Sequence, residues 1–136
     1  MDMETLKGDL ARDEGCRLKP YRDTEGLLTI GVGRNLDDMG ITSEEAFHLL
    51  ENNIGGVMAD LDRNAPWWRH LSEPRQRALA NMGFNLGWPR LSGFRNMLAA
   101  LQTGDFERAA AEALDSKWAR QVGARATRIA NMIKEG

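Results

Sequence analysis

Cysteine is nearly absent: Cys16 stands alone in 136 residues, so no disulfide can form within the chain. Nor is there a CxxC pair, a glycine-rich phosphate loop or a zinc-ligand cluster. The two histidines, His48 and His70, are isolated in sequence, and neither has a second ligand nearby. No metal and no cofactor are therefore expected. Cys16 follows Asp13-Glu14, whose carboxylates disfavour a thiolate, which argues against a cysteine nucleophile. Long apolar runs are also missing. The opening MDMETLKGDLARDEG suggests neither a secretory leader nor a membrane span. The expectation is synthesis in a host cytoplasm without stable membrane insertion, and release by some other agent.

What is present is ordinary globular material, 42% hydrophobic and 28% charged. A chain of this length buries about two-thirds of its unfolded surface and needs no staple. Net charge is −2 but unevenly spread. Residues 1–65 carry 7 Lys/Arg against 14 Asp/Glu, and residues 66–136 carry 11 against 6. The basic half suits an anionic polymer, nucleic acid or an acidic wall glycan, and two solvated surfaces explain it equally.

Periodicity predicts a mixed α+β chain that is mostly helical. Met3, Leu6 and Leu10 give residues 3–14 a helical spacing, and Gly15 is a stop signal. Pro20, the Thr24-Glu25-Gly26 turn and LLTIGVG read as a small antiparallel sheet of two or three strands. Thr42 and Glu45 form a capping box ahead of a long helix, in which Gly55-Gly56 is expected to weaken or kink the backbone. Beyond it lie helices over 73–86, 93–101, 105–114, 117–122 and 124–134, with Trp88-Pro89 as a break. Phe94, Met97, Leu98, Leu101, Phe106, Leu114, Trp118, Ile129 and Ile133 are the expected core of this part. The organisation expected is one domain over 1–136. Its small lobe covers about 15–45, a connecting helix about 43–64, and a helical lobe 65–136 together with the N-terminal helix.

With those chemistries set aside, carboxylates and one threonine remain. Eight residues separate Glu14 from Asp23, and five separate Asp23 from Thr29. Two acids nine positions apart can simply be surface charge. A glycosidase needs such a pair, one acid to protonate the leaving oxygen and one carboxylate to handle water or the sugar. The run Glu14-Gly15, Asp23-Thr24-Glu25-Gly26 and Thr29-Ile30-Gly31-Val32-Gly33 closely resembles the signature of bacteriophage-type lysozymes (endolysins), glycoside hydrolase family 24. Further resemblance lies in Asn81–Gly87, Phe94–Leu98, Trp118–Gln121 and Arg125–Arg128, in the expected order across nearly the whole chain.

The resemblance implies a lysozyme-like fold and a muramidase that cleaves the β-1,4 bond between N-acetylmuramic acid and N-acetylglucosamine, with inversion. Glu14 would be the general acid, with Asp23 and Thr29 positioning the water. Gly31, Gly33, Asn85, Gln121 and Arg125 would bind substrate. Peptidoglycan strands would be the partner of a monomer, with no nucleic acid and with a holin for release. A non-catalytic peptidoglycan-binding or scaffold module on the same fold is the alternative. One departure is Arg34, which stands where many members have histidine.

Overall fold

A computed structural model describes all residues, Met1–Gly136. Eight α-helices and three short strands fall into two compact units, Met1–His48 and Leu49–Gly136.

In the first unit, α1 runs over Met3–Glu14. The Asp2 carboxylate caps it by accepting from Thr5 N at 3.1 Å, and Gly15 ends it at φ 78°. Strands β1 (Arg17–Arg22), β2 (Leu28–Gly31) and β3 (Arg34–Asn35) form an antiparallel sheet in the order β1-β2-β3. Tyr21 pairs with Thr29, and Thr29 in turn pairs with Asn35. The β1–β2 register shifts between Arg17 and Tyr21, the stretch that holds Pro20. Proline cannot donate to a ladder, and it is tolerated here because β1 is an edge strand. The unit has no apolar core, and its one buried residue is a polar one, Thr29, at 4% exposure.

Helix α2 spans Ser43–Asn64, and the boundary between units falls within it. The capping box forms as expected: Glu45 N donates to Thr42 Oγ1 at 3.1 Å, and Thr42 N to Glu45 Oε1 at 2.9 Å. Gly55-Gly56, expected to weaken or kink the helix, does not interrupt it, and α2 continues through both glycines. A glycine pair lowers helix propensity without forbidding helix, and packing of Val57, Met58 and Leu61 on the core outweighs it.

The second unit continues with a 3-10 turn at Pro66–His70, then α3 (Glu73–Leu86), α4 (Trp88–Leu91), α5 (Arg95–Thr103), α6 (Phe106–Leu114), α7 (Lys117–Val122) and α8 (Ala124–Glu135). Trp88-Pro89 breaks α3 as expected and opens α4, with proline in the first turn where its missing N–H costs nothing. The core gathers Leu61, Leu79, Met82, Leu91, Met97, Leu101, Trp118, Ile129 and Ile133. Leu114, expected among them, is 45% exposed, because it is the last residue of α6. At Gly83 a methyl group would lie 3.0 Å from Val57 Cγ1, so this glycine lets α2 and α3 approach closely.

Candidate active site

The sheet hairpin gathers Asp23 and Thr29 around one peptide group, that of Leu27. Leu27 N donates to Asp23 Oδ1 at 2.9 Å. Leu27 O accepts from Asp23 N at 3.0 Å and from the Thr29 hydroxyl at 2.9 Å. Glu25 N also donates to Asp23 Oδ1, at 2.9 Å. Asp23 is thus the turn-forming residue of the hairpin, with one carboxylate oxygen committed to two backbone N–H groups and the other left outside the turn. Burial of Thr29 follows from its position on β2, the central strand, with Tyr21 and Asn35 to either side. Its hydroxyl proton is spent on Leu27, so toward any further partner Thr29 is an acceptor. Asp23 and Thr29 therefore present acceptor oxygens joined through a single rigid peptide.

Glu14 is the last residue of α1 and is exposed. Its carboxylate lies over Gly33: a methyl group on that glycine would sit 3.3 Å from Glu14 Oε2 and 3.5 Å from its Cδ. Gly33 has φ 71°, in the left-handed region, so it is adapted both to the turn and to the close approach of the acid. Gly31 shares the positive φ, at 68°, but faces open space.

Arg34 follows directly. Its guanidinium grips Glu45 with two parallel bonds, Nη1 to Oε1 at 2.8 Å and Nη2 to Oε2 at 2.7 Å, and Nη1 also reaches Gly40 O at 3.2 Å. Hydrogen bonds from Arg34 and then from the Thr42 backbone lower the Glu45 pKa to about 2. The residue that departs from the usual histidine thus has a partner of its own.

The other expected binding residues lie in the second unit and do not form one group. Asn85 Oδ1 accepts from the Trp118 indole at 2.7 Å, and Trp118 meets Phe94 edge to face with ring centroids 6.1 Å apart. Gln121 lines a groove of about 760 Å³ together with Phe94, Asn96, Ser116, Lys117 and Trp118. Arg125 is absent from that lining. It donates twice to Asn81 Oδ1, at 3.0 and 2.8 Å, beside a different groove bounded by Leu50, Ile54 and Phe84. Sequence reading missed Leu27, whose main chain does the work and leaves no side-chain signal. It also missed the Arg34–Glu45 pair, for which the signal was available: an arginine out of pattern, eleven positions before a capping glutamate.

A family model described as phage lysozyme matches residues 11–132, a span that includes Glu14, Asp23 and Thr29. Over 93% of its length the chain is 35% identical to the pre-baseplate central spike protein of Enterobacteria phage T4, of which it spans only 27%. It is 27% identical to a probable T4-type lysozyme of Dictyostelium discoideum, with 98% of this chain and 96% of that protein covered. With an endolysin of Acyrthosiphon pisum secondary endosymbiont phage 1 the identity is 32%, over 92% of this chain and 85% of the other. The class so defined is that of the lysozyme-type glycoside hydrolases, helical chains with a small antiparallel sheet. Within that class, the chain belongs to the phage lysozyme family.

Proposed function

We propose that the protein is a muramidase, hydrolysing the β-1,4 bond between N-acetylmuramic acid and N-acetylglucosamine in peptidoglycan with inversion at the anomeric carbon. The observation that carries this reading is the Leu27 junction, which joins Asp23 and the only buried side chain of its unit, Thr29.

In the proposed reaction, the protonated Glu14 carboxyl gives its proton to the glycosidic oxygen as the bond from that oxygen to the anomeric carbon breaks. A water molecule donates one hydrogen to Asp23 and the other to the Thr29 oxygen. Both groups are acceptors, so the water's lone pair is left to attack the anomeric carbon from the opposite face. Asp23 takes the proton released, and exchange with solvent returns the proton to Glu14. Inversion requires room for that water, roughly 6.5–9.5 Å between the two carboxyls. Gly31, Gly33, Asn85 and Gln121 contribute to binding the glycan strand, with Arg125 braced by Asn81. The protein acts as a monomer on the wall, after release through a holin.

The test is release of new reducing ends from purified peptidoglycan by the wild type and by Glu14→Gln. Muramidase action predicts reducing ends from the wild type and a loss of at least about a thousandfold in the variant, the upper range for a positioned acid–base group. Equal release by both would remove Glu14 as the acid. Wall binding with no release by the wild type would favour a scaffold module.

A further inference from the structure

We infer that Arg34, held by Glu45, is a positioning residue for the Glu14 carboxylate, acting through the backbone of Gly33. The inference rests on the reading of Glu14 as general acid.

Within the first unit no hydrogen bond or ion pair holds the Glu14 carboxylate. Its defined neighbour there is Gly33: Oε2 lies 3.3 Å from the position that a Cβ on this glycine would take. The location of Gly33 therefore bounds the space open to the acid. Gly33 itself is a weak support. It belongs to a turn with positive φ at both Gly31 and Gly33, and glycine backbone is the freest there is. The fixed point nearest to it is the next residue. Arg34 is tied twice, by its ladder pairing with Ile30 and by the two-bond grip of its guanidinium on Glu45. The Gly40 carbonyl adds a third direction.

Glu45 is immobilised in turn. Its carboxylate accepts from Thr42 N, and its own N–H is capped by Thr42 Oγ1 at the start of α2. A chain of contacts thus runs from the N-terminus of α2 through Glu45 and Arg34 to Gly33 and Glu14. A planar guanidinium on a carboxylate fixes orientation as well as distance, which a lysine ammonium does not. Small misplacements of a catalytic group cost far more rate than binding, about a hundredfold for 1 Å.

The test measures kcat and KM on soluble, uncross-linked glycan strands. The proteins are wild type, Arg34→Met, Arg34→Lys, Glu45→Gln, Glu14→Gln and Arg69→Met. The last removes a comparable exposed pair, Arg69–Asp62, and serves as the stability control. Arg34→Met should lower kcat about ten- to a hundredfold with KM within about twofold of wild type. Glu45→Gln should follow it, and Arg34→Lys should fall between. Should Arg34→Met not fold, Glu45→Gln carries the test, because the glutamine amide oxygen still accepts from Thr42 N. A kcat loss no larger than that of Arg69→Met, or a loss entirely in KM, overturns the inference. If Glu14→Gln remains active, the acid reading falls and the inference with it. If Glu14→Gln is inactive while Arg34→Met turns over normally, the inference alone falls.

Discussion

Thr29 is a buried hydroxyl in a unit that buries nothing else, and removing it has two separable consequences. Thr29→Val keeps the volume and the β-branched shape that suit β2, but takes a hydrogen bond from Leu27 O. That carbonyl still accepts from Asp23 N, so the stability loss should be modest, about 1 kcal/mol by urea unfolding. Activity should fall far more than that loss explains, and Thr29→Ser should restore most of it. Equal activity of the valine and serine variants would remove the hydroxyl from the reaction. Gly33→Ala makes a second residue-scale case. It meets both a left-handed backbone conformation, costing about 1–2 kcal/mol, and the Glu14 carboxyl group. Turnover on soluble glycan strands should drop below that of Gly31→Ala, whose backbone strain is similar but which faces open space. The Glu14, Asp23 and Thr29 spacing was legible in the sequence because side-chain chemistry is written there. Leu27 was not, because any residue has the same peptide group.

Among the elements, α2 starts as the sequence predicts, and the glycine pair in its middle leaves the helix uninterrupted. Thr42 and Glu45 form a local motif whose hydrogen bonds need only four consecutive residues. Gly55-Gly56 is a propensity signal, and propensity yields to packing on Leu61 and its neighbours. A methyl group on either glycine meets nothing within 4 Å, so Gly55→Ala and Gly56→Ala should each stabilise the protein by about 1 kcal/mol in thermal melts. Leu114 miscarried for a related reason. Where a helix stops, and whether its last residue reaches the core, depend on neighbours distant in sequence. The ends of α2 also carry the acid sensitivity. Glu45 and Asp62 both have pKa values lowered to about 2, chiefly by hydrogen bonds from Arg34 and Arg69 respectively. A lowered carboxylate pKa stabilises the fold above the unfolded value, near 4.5 for Glu and 3.8 for Asp. That stabilisation is lost as pH falls from there toward about 2. Glu45→Gln should therefore flatten the fall in Tm between about pH 4.5 and 2. A Tm profile parallel to wild type across that window would contradict the assignment.

At the scale of the whole molecule, the charge imbalance and the long-range contacts divide unequally. The second unit closes its own core from α2 to α8, and Arg75 on α3 bonds to the carbonyls of Ile133 and Lys134 near the C-terminal end of α8, while stacking on Phe106. That clasp joins residues nearly sixty positions apart and left no local trace in the sequence. The separation of Gln121 and Arg125 into two grooves was equally hidden, because a four-residue interval that spans the α7–α8 junction does not keep two side chains on one helix face. The central claim, however, belongs to the first unit: Glu14 protonates the leaving oxygen while Asp23 and Thr29 orient an attacking water. The most direct measurement is the anomeric configuration of the newly formed reducing end, followed by NMR during hydrolysis of soluble glycan strands before mutarotation. The account predicts the α-anomer from the β-linked substrate, with no product from Glu14→Gln. Initial release of the β-anomer would contradict it, since retention requires a carboxylate to attack the sugar directly instead of holding a water.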